Sequence, residues 1–154
     1  MSTLIESGDL QRHIFQTLQP AYARRYSMMV DAVEKYLLPL GVTFPNMGRD
    51  VVGGYFIWIA LSEPLQAEEV ALRARQEENV IIAPGTMFEV SGDDQGPDLK
   101  RKVRLCFSWE EENLLSEGVE RLGKVIYRLQ GAQRYGQGVV QPPPQKDFDA
   151  GDFR

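Results

Sequence analysis

Apolar residues recur at helical spacing through Leu10, Ile14, Leu18, Ala21 and Tyr22, and again through Met29, Val33, Tyr36, Leu37 and Leu40. This pattern predicts one long amphipathic helix over about Asp9–Leu40. Ser7 or Asp9 is its N-cap candidate. Pro20 interrupts it: proline offers no N–H to the turn before it and crowds that turn, so a kink or break is expected near Gln16–Pro20. Pro39–Gly41 closes the segment.

The period then changes. Val42–Phe44 reads as a short edge strand, because Pro45 removes a ladder donor. Gly54–Leu61 ("GYFIWIAL") is apolar on both alternating faces, the pattern of an interior strand covered on both sides. Ser62 and Pro64 open a second helix with a narrow stripe of Ala67, Val70, Ala71 and Ala74. Val80–Gly85 ("VIIAPG") is a short strand ending in a Pro-Gly turn. Ser91–Lys100 is an exposed loop, and Lys102–Ser108 is the next strand. Ser108 and Glu111 form an S-x-x-E capping box for a third helix carried by Leu115, Val119, Leu122, Ile126 and Leu129, with Gly131 as its C-cap.

The order is helix, strand, strand, helix, strand, strand, helix. It predicts an α+β fold: a two-layer small domain with a mostly antiparallel sheet of three to four strands packed on helices, behind a long kinked leading helix. The first two strands form an antiparallel pair, and the second helix makes a right-handed crossover. Residues 1–131 form this domain. Residues 132–154 are a Gly/Pro/Gln-rich tail, expected to be flexible.

Composition narrows the function classes. The chain has 154 residues, enough for one domain with a real core, and a formal net charge of −5, which speaks against a nucleic-acid surface. No apolar run approaches a membrane span, and the N-terminus carries no secretory pattern. The single cysteine, Cys106, excludes an intrachain disulfide and suits a reducing, cytoplasmic setting. His13 is the sole histidine, so a metal site is not expected. Ala23–Ser27 ("ARRYS") reads as a solvated helix face, and Trp58 and Trp109 as core residues.

Arg104 is the residue that asks for an explanation. In Lys102–Ser108 the side chains of Val103, Leu105 and Phe107 point one way, and those of Arg104, Cys106 and Ser108 the other. A charge inside a strand costs free energy unless something pairs with it. Two readings stand: Arg104 meets a distant carboxylate of this chain, or it waits on an uncovered sheet face for an anionic ligand. In the second, the guanidinium is a planar fork that takes a carboxylate through two hydrogen bonds.

Three stretches, "GGYFIWIAL", "VIIAPGTMFEV" and "KVRLCFSWEEENLLSEGVERLGKVI", stand in an order and spacing that resemble the C-terminal small domain of fold-type I, pyridoxal-phosphate-dependent aminotransferases. The resemblance is to the aromatic, 2-aminoadipate and kynurenine aminotransferase branch, fungal members included. "SGDLQRHI" and "YARRYSMMVDAVEKYL" are similar to the helix that leads from the large domain into the small one.

The resemblance implies amino-group transfer between an amino acid and a 2-oxo acid, with Arg104 gripping the substrate α-carboxylate and Pro84, Gly85 and Phe88 bordering the cleft. It implies pyridoxal 5'-phosphate in the intact enzyme, a large cofactor-binding domain as partner and a homodimer. The family's Schiff-base lysine lies in the large domain. Lys35, Lys100, Lys102, Lys124 and Lys146 of this chain all lack its S-x-x-K spacing. No catalytic residue, no cofactor-binding residue and no bound cofactor are therefore expected for this chain alone. The alternative is a free-standing, non-catalytic binding or dimerisation module derived from the same domain.

Overall fold

The computed structural model describes residues 7–44, 54–90, 92 and 96–136, with side chains through residue 132. The leading segment begins with α1 (Asp9–His13), continues as a π-helical stretch over Ile14–Leu18, and becomes α2 (Gln19–Tyr36). The expected break is thus a local widening. Pro20 cannot supply the N–H that the Gln16 carbonyl would meet in a regular α-helix, and a π-turn reaches one residue further for its donors. Gly8, in the left-handed region, is the N-cap position, and the candidate Ser7 stands one residue earlier, where its Oγ accepts from the Asp9 backbone N–H at 3.3 Å.

Only the second half of this segment enters the core. Met29, Ala32, Val33 and Tyr36 of α2 are buried, whereas α1 and the π-helical stretch bury no residue. A 3-10 turn over Leu38–Leu40 ends at Gly41, whose φ of +75° suits glycine. The Gln130 amide donates to the Leu40 carbonyl at 2.7 Å and to Ser62 Oγ at 3.0 Å, which locks this corner to the last helix.

The sheet contains β1 (Phe56–Ala60), β2 (Ala83–Pro84) and β3 (Lys102–Cys106) in the order β1-β3-β2, and both pairings are antiparallel. The register sets Trp58 opposite Arg104, Phe56 opposite Cys106 and Ala83 opposite Arg104. Since β1 and β2 both run against β3, they run parallel to each other, and α3 (Ala67–Glu78) is the crossover between them.

Several sequence expectations are corrected. The central strand is β3, not Gly54–Leu61. Among the described residues, β1 meets an isolated bridge on its other side, where Thr43 and Ala60 exchange hydrogen bonds of 2.8 and 2.7 Å, so Val42–Phe44 contributes a bridge rather than a strand. The second apolar face of β1 is answered by an aromatic contact described below, not by a full layer. Val80–Gly85 narrows to two paired residues, with Ile81 83% exposed. α3 begins at Ala67 with Gln66 as N-cap, so Pro64 sits in the preceding turn.

The last helix, α4 (Glu112–Gly136), starts four residues after Ser108 and runs through Gly131. The capping box is absent from this geometry, because Ser108 Oγ instead lies 3.3 Å from Cys106 Sγ. Gly131 is helical rather than a C-cap. Residues 137–154, most of the expected tail, lie outside the described residues.

One face of the sheet carries the core. Ile57, Ile59, Val103 and Leu105 point into it and meet Val33, Leu37, Val70 and Ala74 of the helices and their turns. Leu115, Val119, Leu122, Ile126 and Leu129 of α4 are all buried, as their spacing predicts, and Val125 joins them. Gly123 lets α4 press against the end of α2: a Cβ there would stand 3.2 Å from the Tyr36 carbonyl. No helix among the described residues is long and apolar enough to cross a membrane.

Candidate functional site

The site is the other face of the sheet. Strand alternation sends Trp58, Ala83 and Arg104 to this face through their shared register, with Phe56 and Cys106 one pair further along. The face is open: Phe56 is 39% exposed and Cys106 is exposed. Arg104 therefore stands in the middle of the central strand, on a rigid element, facing away from the helices.

Its surroundings are aromatic. The guanidinium carbon lies 4.0 Å from the centroid of the Phe56 ring and 4.0 Å from that of Phe88. Both rings thus lie against the same guanidinium. Phe56 comes from β1, and Phe88 ends the 3-10 turn Gly85–Phe88 that follows β2. Trp58 steadies Phe88 in an edge-to-face contact at 5.4 Å with the rings 78° apart. An arginine over a ring face is attracted by the ring's quadrupole, by about 0.5–2 kcal/mol per contact depending on desolvation.

No carboxylate among the described residues forms an ion pair with Arg104, whereas Arg25, Arg73, Arg101, Arg121 and Arg128 each reach one. The rings hold the charge in place without consuming its N–H donors. Among the described residues no hydrogen bond or ion pair occupies the guanidinium's rim, whose planar fork has the geometry that matches a carboxylate.

The turn that delivers Phe88 depends on glycine. A Cβ at Gly85 would fall 2.4 Å from the Leu99 carbonyl oxygen and 2.9 Å from that of Lys102. Gly85 thus lets the 3-10 turn lie directly on the backbone leading into β3. Of the cleft candidates Pro84, Gly85 and Phe88, Phe88 places its ring against the Arg104 guanidinium.

Cys106 shares this face. Burial, the largest single influence, pushes its thiol up, but the Ser108 hydroxyl, the Ser108 and Trp109 backbone groups and the positive charge of Arg104 together bring it below the ordinary thiol value. An open groove between Asn79–Ile82, Trp109 and the first turns of α4 includes Cys106 but not Arg104. Trp109 is 90% exposed at its rim, which corrects its expected core placement.

The described lysines each have a separate setting. The Lys35 ammonium lies 4.7 Å over the neighbouring Tyr36 ring, Lys124 pairs with Glu120 at 2.8 Å, Lys100 is exposed and Lys102 is half-buried at the start of β3. Lys146 lies outside the described residues. Among the described residues no group of three His, Cys, Asp or Glu side chains is placed to hold a metal ion.

Two contacts of the site escaped the sequence reading. Phe56 over Arg104 follows from the β1–β3 register, which alternation within one strand does not reveal. Arg25 belongs to a stretch read as a solvated face, yet its Nε donates to the Phe107 carbonyl at 2.7 Å and so ties α2 to the chain just past β3.

No protein-family model matches the chain. An uncharacterized protein of Saccharomyces cerevisiae is 34% identical over 122 residues, which are 79% of this chain and 26% of that protein. Aromatic-amino-acid aminotransferase 1 of Thermococcus litoralis is 29% identical over 122 residues, with the same two coverages. Among solved structures, the kynurenine aminotransferase of Pyrococcus horikoshii superposes with a TM-score of 0.68 at 28% identity, covering 82% of this chain and 28% of that one. The chain thus spans about a quarter of the length of the curated relatives it matches.

Proposed function

From its kinship with the fold-type I aminotransferases, in which it corresponds to the C-terminal small domain, we propose that this chain supplies the substrate-carboxylate grip of a pyridoxal-phosphate-dependent aminotransferase. Arg104 is the residue that provides it. The observation that carries the reading is a strand-held guanidinium on an open sheet face, held by two rings and paired with no described carboxylate. A grip of this kind fixes one end of the amino acid through two charge-assisted hydrogen bonds. That leaves the Cα–H bond in a set direction for the reaction.

The cofactor, when bound, supplies the electron sink for that bond cleavage. In this reading the cofactor and its lysine belong to a large domain, in the same or another chain, which also covers the open face. The assembled enzyme works on an amino acid and a 2-oxo acid, as a homodimer, in the cytoplasm. The chain alone does not catalyse transamination.

The test joins the chain to a matching large domain, in cis or in trans, and compares Arg104→Ala with the parent. Loss of a two-bond clamp is expected to lower kcat/KM by about two orders of magnitude, or roughly 3 kcal/mol. Unchanged kcat/KM for the amino acid would refute the role given to Arg104. Failure of the parent assembly to transaminate, with both parts folded and associated, would favour a non-catalytic module instead.

A further inference from the structure

Both aromatic contacts of Arg104 have a feature that packing alone does not explain. Phe56 and Phe88 lie outside the buried core, and Phe56 leaves 39% of its surface to solvent, yet each ring stands over the same guanidinium carbon. Ring faces carry the negative side of the aromatic quadrupole, so they attract the cation and repel an approaching anion. Beside the two rings, the favourable approach for an anion is the N–H rim.

A carboxylate fits that rim, because its two oxygens and carbon lie in one plane. A tetrahedral oxyanion can also place two oxygens on the rim, but its remaining substituents leave that plane toward the ring faces. Resting on the reading of Arg104 as a carboxylate-binding residue, we infer that Phe56 and Phe88 are the specificity-determining pair of the site and make it select a carboxylate over a sulfonate or phosphonate of similar size. They are positioning residues, acting through the orientation and electrostatic shielding of Arg104. Trp58, edge-on to Phe88, keeps that wall upright.

The test uses the full 154-residue chain labelled with 15N-arginine, with the Arg104 Nε–H signal assigned by its loss in Arg104→Lys. Acetate and methanesulfonate are titrated separately at constant ionic strength against chloride. Acetate is expected to shift the Arg104 signal with an apparent affinity about fivefold or more above that of methanesulfonate. In Phe56→Leu and Phe88→Leu, which remove the ring faces without touching the core, the ratio is expected to fall to about one, and Phe88→Tyr is expected to restore it. An unaltered backbone spectrum in each variant shows that the fold is retained.

A parent chain that responds equally to both anions, or Leu variants that keep the parent's selectivity, would overturn the inference while leaving Arg104 as a carboxylate grip. No acetate response at Arg104 in any variant would overturn both.

Discussion

Arg25 donates its Nε–H to the carbonyl of Phe107 at 2.7 Å, joining the middle of the leading helix to the residue that follows the central strand. The Arg25 side chain is only 15% exposed and also approaches Glu112 at 3.9 Å, while the Tyr26 and Phe107 rings meet edge-to-face at 5.7 Å. Helix α2, the end of β3 and the start of α4 are therefore fastened at one point, and the strand that presents Arg104 is steadied from behind.

Replacing Arg25 by Met keeps the apolar stem and removes the donor. The Phe107 carbonyl then loses a charge-assisted bond at a half-buried place. The expected loss is about 1–3 kcal/mol in urea denaturation, with an unchanged m-value. Arg25→Lys is expected to recover only part of it, because an ammonium reaches the carbonyl from a different stem geometry. Equal stability of Arg25→Met and the parent would mean that the contact is not maintained in solution.

Two glycines give opposite expectations. At Gly85 an added methyl meets two backbone carbonyl oxygens, neither of which can swing away. Gly85→Ala is expected to cost about 1–3 kcal/mol and to shift the Phe88 ring off Arg104. Gly118 lies inside α4, where a Cβ finds nothing within 4 Å. Gly118→Ala is expected to stabilise by about 0.4–1 kcal/mol through helix propensity and a less entropic unfolded chain. Thermal melts of the two variants should move in opposite directions from the parent.

The fold was legible wherever the signal was local. Alternation within Lys102–Ser108 separated Val103, Leu105 and Phe107 from Arg104, and the spacing of Leu115, Val119, Leu122, Ile126 and Leu129 gave the buried stripe of α4. Pro20 announced a disturbance of the leading helix, because its missing N–H is a property of one residue. The aminotransferase likeness was legible from three motifs standing in order.

What escaped depends on which segments meet. Apolarity on both faces of β1 suggested a central strand, but the Phe88 turn, not a further strand, half-covers Trp58 there. Val80–Ile82 has the composition of a strand, yet the ladder to β3 takes only Ala83 and Pro84. Ser108 had the spacing of a capping residue, but helix α4 begins too late for it to reach the first turn. Arg25 looked solvated because its partner lies 82 residues away.

The core is expected to be intolerant where the sheet and α4 meet. Ile126 is fully buried, and it belongs to the cluster that also holds Leu37, Val70 and Val103. Ile126→Ala removes three carbons from a closed space and is expected to cost about 2–5 kcal/mol, measured by chemical denaturation. Ile126→Val should cost about 0.5–1.5 kcal/mol. A loss below 1 kcal/mol for the alanine variant would contradict the packing of α4 on this cluster.

Cys106 offers a chemical reading of the same face. Its thiol sits below the ordinary value of 9.0 because the hydrogen bonds from Ser108 and Trp109 and the Arg104 charge outweigh burial, the largest opposing influence. The thiolate is therefore favoured in the folded chain. The linked contribution to stability is present above the unfolded thiol's value and is lost as pH falls through the lowered folded value. Alkylation of the exposed thiol by iodoacetamide should reach half its maximal rate at a lower pH than for a thiol in the urea-unfolded chain. Arg104→Gln takes away the coulombic pull and should move that midpoint upward, toward the unfolded value. Ser108→Ala, which removes the hydroxyl 3.3 Å from the sulfur, should move it in the same direction and further, since that hydrogen bond is the larger of the two influences. Identical midpoints for the parent and both variants would show that neither group acts on the thiol, and that Arg104 does not face Cys106 as the β3 geometry has it.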